Sequence, residues 1–183
     1  ALQGVSKSIS NGELGDLVGI DVLLTYGAWP RKWQIKADWL RFRAEGGMTR
    51  EVLSHFLFFS ERLLGPLQVN FSAPSYPEDP KLCETGLLAR LSSSRGHPIN
   101  IFASVGGAQP DRQELTVKGT RLSRRISDFY IDAASNGGPF EELYKRPSDP
   151  RATSLKAQLD DLLFCISGKP HHLASLDEAL RVQ

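Results

Sequence analysis

Five short β-prone segments follow one another through the middle of this chain with no helical period between them: Gln68–Ser72, Thr85–Ser92, Ile99–Val105, Glu114–Lys118 and Leu122–Ile126. Neighbouring parallel strands need a crossover of a dozen or more residues, usually a helix, so strands joined by short connections pair antiparallel. Pro, Gly and Ser punctuate these connections as turn residues do. Several segments alternate apolar and other residues, the pattern of a sheet with one covered face. A longer strand precedes them, Asp16–Tyr26, carrying the run LVGIDVLLTY.

Helices flank the strands. Leu2–Ser10 places Leu2, Val5 and Ile9 on one face and ends at Asn11-Gly12. The clearest helix is Thr49–Leu64, with Thr49 as N-cap, Glu51 in the first turn, Gly65 at C′ and Pro66 after it. Val52, Leu53, Phe56, Leu63 and Leu64 form its core stripe. Ser154–Ser167 repeats Leu155, Leu159, Leu162, Leu163 and Ile166 at helical spacing, and Cys165 within that run reads as a small core residue. Ser175 with Glu178 makes a capping box that opens Leu176–Val182. Asn136-Gly137-Gly138-Pro139 is a turn cluster. These elements predict the α+β class: an open, predominantly antiparallel β-sheet with helices packed on one face. The length, 183 residues, suits a single domain over 1–183.

Composition excludes several functions. Lys and Arg number 22 against 21 Asp and Glu, a net charge of +1, so no electrostatic footprint for nucleic acid is expected. The densest basic cluster, Arg121, Arg124 and Arg125, reads as a solvated strand face. Cys83 and Cys165 stand far apart and outside any CxxC pair, so no zinc or dithiol site is expected, and the usage fits a reducing cytoplasm. His171-His172 is not a metal clip, because adjacent side chains in an extended segment point to opposite sides. No apolar run approaches the roughly 18 residues that span a bilayer. Ala1 to Ser10 reads as the interior of a longer chain.

The segment Ala28–Gly47 holds Trp29, Trp33, Trp39 and Phe42 among Arg31, Lys32, Lys36, Arg41 and Arg43. A loop longer than about 12–15 residues is usually functional or disordered, and its aromatics argue against disorder. Trp29 and Trp39 are therefore candidates for substrate binding. Gly46-Gly47 either lets a backbone approach a ligand or makes a simple turn. Glu51 and His55 stand four apart on the predicted helix and share a face. A carboxylate one turn from an imidazole can orient it as a general base toward an alcohol. The same spacing also fits an ordinary surface pair or a satisfied core histidine. No GxGxxG, Walker or GxSxG spacing occurs, so no nucleotide cradle is expected in this chain.

The stretch GGMTREVLSHFLFFSERLLG, Gly46–Gly65, resembles the glycine, aspartate and histidine segment of the glucose–fructose oxidoreductase and inositol dehydrogenase family (Gfo/Idh/MocA). The opening helix with NGELGD, the late LTVKGTRLSRRISDF and the closing SGKPHHLASLDEALRVQ resemble that family in the same order. The resemblance implies the family's C-terminal, substrate-side domain, related in fold to the second domains of dihydrodipicolinate reductase and glyceraldehyde-3-phosphate dehydrogenase. It implies that the N-terminal nucleotide-binding domain is absent here, that NAD or NADP belongs to the full-length parent, and that the isolated chain is inactive. It implies a sugar, polyol or related hydroxy substrate, His55 as acid–base, Glu51 in the aspartate position, and Gly46 and Gly47 near the substrate. It also implies a homo-oligomer through the open sheet face. Glu51 for Asp, and Glu45 for the first glycine of the triplet, depart from the family pattern. The competing expectation is a non-catalytic binding or oligomerisation module of the same fold.

Overall fold

The structure, a computed structural model, describes residues 1–183. Contacts divide the chain into two compact units, Ala1–Leu143 and Tyr144–Gln183.

The first unit is built on one eight-stranded sheet. Its strands are β1 (Leu17–Tyr26), β2 (Leu67–Ser75), β3 (Gly86–Ser93), β4 (Pro98–Val105), β5 (Arg112–Gly119), β6 (Ser123–Ser127), β7 (Ile131–Ser135) and β8 (Glu141–Glu142). Their order is β2-β3-β4-β1-β5-β6-β7-β8. The only parallel pair is β1 with β4, whose connection carries a helix and two strands. The remaining pairs are antiparallel, joined in sequence through β2–β3–β4 and β5–β6–β7–β8, with β5 returning beside β1. The open, mostly antiparallel α+β fold is as the sequence predicts. Strands β7 and β8 were not predicted; the Asn136–Pro139 cluster is the turn between them.

Helices α1 (Leu2–Ser10) and α2 (Ser54–Leu64) supply the apolar side chains that cover one face. Along β1 the side chains alternate, so Ile20, Val22, Leu24 and Tyr26 enter the core while Asp21, Leu23 and Thr25 face the other way. Val5, Val52, Leu53, Phe56, Leu63 and Leu64 pack with them, joined by Ile99, Ile101, Leu115, Val117 and Ile126. A fully buried side chain such as Phe56 contributes about 1.5–3 kcal/mol by leaving water. The helix ends where Gly65 N–H bonds back to Glu61 O over 2.7 Å.

Arg124 corrects the expectation of a solvated basic face. Its side chain is 4% exposed, with Nη2 2.6 Å from Asp132 Oδ2, Nε 3.0 Å from Oδ1, and Nη1 2.6 Å from Ser8 Oγ of α1. The partner carboxylate lies on β7, eight residues further on, and no local signal ties it to the basic cluster. The bidentate geometry satisfies a guanidinium that burial would otherwise penalise.

The sheet face opposite α1 and α2 leaves Phe71, Leu88 and Phe102 about half exposed. With Leu23 and Arg90 they line a shallow groove of about 420 Å³. Lys118 Nζ bonds Asp21 Oδ2 at 2.7 Å, and Asn100 Nδ2 donates to Asp21 Oδ1 at 2.9 Å, forming a polar cluster on this face.

The second unit holds α3 (Pro150–Ile166) and α4 (Leu176–Val182). Asp149 caps α3 by accepting from Ala152 N at 2.9 Å, with Pro150 in the first turn. The helix starts four residues earlier than its apolar repeat suggested. Leu155, Leu159, Leu162 and Ile166 are all exposed, and so is Cys165, which is not the core residue expected of it. A helical repeat defines a stripe but not what lies against it. Ser175 and Glu178 form the reciprocal capping box, with Glu178 N to Ser175 Oγ at 3.2 Å and Ser175 N to Glu178 Oε2 at 2.8 Å. No helix is long and apolar enough to cross a membrane.

Candidate functional site

The Trp-rich segment is ordered by one cation. Two 3-10 turns, Lys32–Gln34 and Asp38–Arg41, follow the end of β1. Arg31, only 10% exposed, lies over the rings of Tyr26, Trp29 and Trp33 at 5.5, 5.4 and 4.8 Å. A desolvated cation over aromatic faces is held electrostatically as well as by packing. Trp29 donates Nε1–H to Leu40 O at 3.0 Å and packs on the core, so it ties the segment together from within. Trp39 and Trp33 are the rings left accessible, at 49% and 65%.

Gln34 is buried and joins that cation to the site helix. Its Oε1 accepts from Arg31 Nε at 2.8 Å and its Nε2 donates to Glu51 Oε1 at 2.9 Å. The amide orientation follows, since oxygen must face the guanidinium and nitrogen the carboxylate. Arg31 Nη2 lies 3.9 Å from the same Glu51 oxygen. Glu51 is one-third exposed, and its Oε2 takes no protein hydrogen bond. That oxygen can accept a hydrogen bond from a ligand hydroxyl.

The helix carrying Glu51 begins irregularly. Thr49–Leu53 is a π-turn, with Ser54 N bonded to Thr49 O, and it runs into α2. Such turns often occur at functional positions. Thr49 does not act as the N-cap. Instead Glu84, 6% exposed, accepts from Thr49 N at 2.8 Å and from Thr49 Oγ1 at 2.7 Å. Glu84 is delivered by residues 81–83, which pair with 41–43: Arg43 N bonds Lys81 O and Cys83 N bonds Arg41 O, each at 2.8 Å. Burial pushes the Cys83 thiol up from its usual range.

Gly46 and Gly47 are both buried against the protein's own chain. A Cβ on Gly46 would collide with the Leu40 backbone. Gly47 holds φ at +104°, and a Cβ there would lie 2.6 Å from Glu84 Oε2. Both glycines thus seat the helix start on Leu40 and Glu84.

His55 is exposed, one turn after Glu51, and no hydrogen bond or ion pair joins the two. Its ring meets Phe129 edge-on, with centroids 5.4 Å apart and planes at 77°. The predicted couple is therefore two separately supported groups on one helix: a carboxylate anchored from the preceding segment and an imidazole open to solvent. Arg31, Gln34, Glu84 and Phe129 were missed by sequence reasoning. Each reaches the site across the fold, and only the aromatic density around Arg31 marked any of them.

The open, mostly antiparallel sheet with helices on one face is a fold that solved structures share. No family model and no curated protein matches the chain. Among solved structures, a 3-ketoreductase from Actinomadura kijaniata, solved with NADP and TDP-benzene, matches with TM-score 0.72 at 15% identity, covering 98% of this chain and 55% of that one. A dehydrogenase from Bordetella pertussis, solved with NADH and UDP-GlcNAcA, matches with TM-score 0.70 at 17% identity, covering 98% and 54%. An oxidoreductase from Thermotoga maritima matches with TM-score 0.72 at 18% identity, covering 99% and 53%. The chain shares its fold with these proteins and spans about half their length.

Proposed function

We propose that this chain is the substrate-side and oligomerisation half of an NAD(P)-dependent oxidoreductase that acts on a sugar, polyol or related hydroxy compound. The observation that carries the reading is the match of nearly the whole chain to about half of several oxidoreductases, two of them solved with nicotinamide dinucleotides. The placement of an exposed imidazole and a half-free carboxylate on one helix supports it.

The residues present do not fit a dinucleotide. A pyrophosphate takes the N-terminus of a helix after a glycine-rich turn. The amides of the glycine pair before the site helix are bonded to Phe42 O and Leu40 O, and that of Thr49, at the start of the helix, is already bonded to Glu84. The N-terminus of α3 is capped by Asp149 and that of α4 by Ser175. In this reading NAD or NADP is held by the nucleotide half of the full-length parent, and the isolated chain neither binds it nor turns over.

The chain's own residues then supply the proton side of the reaction. Glu51 Oε2 accepts a hydrogen bond from a substrate hydroxyl and orients it. The imidazole of His55 takes the proton of the reacting hydroxyl in oxidation and returns it in reduction. Exposed Trp39 borders the substrate, while Trp29, Gly46 and Gly47 hold the surrounding backbone. The exposed sheet face joins copies of the chain. The full-length parent, assayed with sugar and polyol substrates, is expected to reduce NAD or NADP. Absence of turnover across that panel, in a folded protein that binds the dinucleotide, would leave only the non-catalytic assembly module.

A further inference from the structure

The turn between β6 and β7 holds Asp128 at φ +49° and Phe129 at φ +68°, with Tyr130 N bonded to Ser127 O at 3.2 Å. Two central residues with positive φ define the mirror-image turn that usually takes Asn-Gly or Asp-Gly. The left-handed conformation is unfavourable for an L-residue that carries a side chain. A bulky residue there is an outlier that the surroundings must impose.

Three rings surround the Phe129 side chain. It stacks on Phe56 at 5.1 Å and 27°, meets Phe59 edge-on at 6.5 Å, and meets His55 at 5.4 Å and 77°. The contacts with Phe56 and Phe59 serve packing, since Phe56 is fully buried. The contact with His55 does not, because His55 is exposed. No hydrogen bond joins His55 to Glu51, and the Phe129 ring packs edge-on against the imidazole.

We propose that Phe129 is a positioning residue: the strained β6–β7 turn presents its ring to His55 and holds the imidazole on the substrate side of α2. This rests on the acid–base reading of His55 for its catalytic consequence, but not for the contact itself. An edge-on ring limits the side-chain torsions of His55 while the residue stays exposed. A displacement of about 1 Å in a reacting group can cost on the order of 10²-fold in rate, so a ring that removes such wandering contributes to turnover without touching substrate.

The test uses Phe129→Leu, which keeps bulk without a ring, and Phe129→Tyr, which keeps the ring. In this chain, the ring ¹H–¹³C signals of His55 are followed by NMR beside those of His97, His171 and His172. The Leu variant is expected to retain the fold by circular dichroism. Its His55 signals should lose their ring-current displacement and broaden, while the other three histidines stay in place and the Tyr variant resembles wild type. Unchanged His55 signals in a folded Leu variant would overturn the proposal. In the full-length parent, Phe129→Leu should lower kcat by about 10- to 10²-fold at nearly constant KM, with Phe129→Tyr restoring it. A loss of kcat that only tracks the loss of folded protein, equal in both variants, would reduce Phe129 to a packing residue. An inactive wild-type parent would remove the acid–base reading and still leave the NMR result to decide the contact.

Discussion

Glu84 accepts both the backbone N–H and the hydroxyl of Thr49, 35 residues earlier in the chain, and so anchors the first turn of the helix that carries Glu51 and His55. A carboxylate at a helix N-terminus satisfies an otherwise orphaned amide and favours the helix dipole. Glu84→Ala leaves that part-buried amide without its partner, at a cost of up to about 1–3 kcal/mol. Thr49→Val keeps the amide bond and should cost less. Thermal melts rank the two variants, and amide exchange over 49–53 should accelerate most in Glu84→Ala. Equal exchange in wild type and variant would remove Glu84 from its anchoring role.

Arg124 and Asp132 are expected to be the most sensitive charged pair. Breaking a buried ion pair by removing one partner leaves an uncompensated charge and costs about 3–5 kcal/mol. Arg124→Met and Asp132→Ala should each destabilise the chain by amounts in that range in urea, whereas the double variant should lose less than their sum. Additive losses would mean that the pair is not coupled.

Tyr26 gives the alkaline limit of stability. Its phenol is buried without a hydrogen-bond partner, and burial raises its pKa above the ordinary 10.0. Burial also raises the Cys83 thiol above its ordinary 9.0. Both groups ionise first in the unfolded chain, so their contribution is complete below the unfolded value and is lost as pH rises through the folded one. Stability should fall from pH 9 upward, and Tyr26→Phe should remove the part above pH 10. Because the hydroxyl satisfies nothing, that substitution should be neutral or stabilising at pH 7. A large loss at pH 7 would reveal a partner for the phenol.

Phe102 and Leu88 test the open sheet face. Each is about half exposed, so Phe102→Asp or Leu88→Asp should leave the melting temperature nearly unchanged. If copies of the chain join through this face, wild type sediments as an oligomer and either variant as a monomer. A variant that stays oligomeric would move the interface elsewhere.

The elements were legible where periodicity and caps act locally. The helices Leu2–Ser10 and Leu176–Val182 have the limits their sequence signals implied, and the five middle strands fall within three residues of theirs. Two kinds of feature escaped. Short strands such as Ile131–Ser135 carry too few apolar residues to alternate visibly, and with them went Asp132 and the meaning of Arg124. Contacts across the fold escaped as well: nothing local tells that Gln34 meets Glu51, that Glu84 replaces Thr49 as the cap, or that Phe129 reaches His55. At the site, helical spacing placed Glu51 and His55 on one helix, but the π-turn and the claim of Arg31 and Gln34 on the carboxylate separated their partners.

His55 is where the whole account meets one measurement. In the full-length parent, His55→Asn is examined by steady-state reduction of NAD or NADP alongside a thermal melt. The variant is expected to show a fall in kcat of about 10²–10⁴, the range for losing a general acid–base, with little change in melting temperature because His55 is exposed. Normal kcat per folded molecule, with a much lower melting temperature, would contradict it and leave His55 as a structural residue.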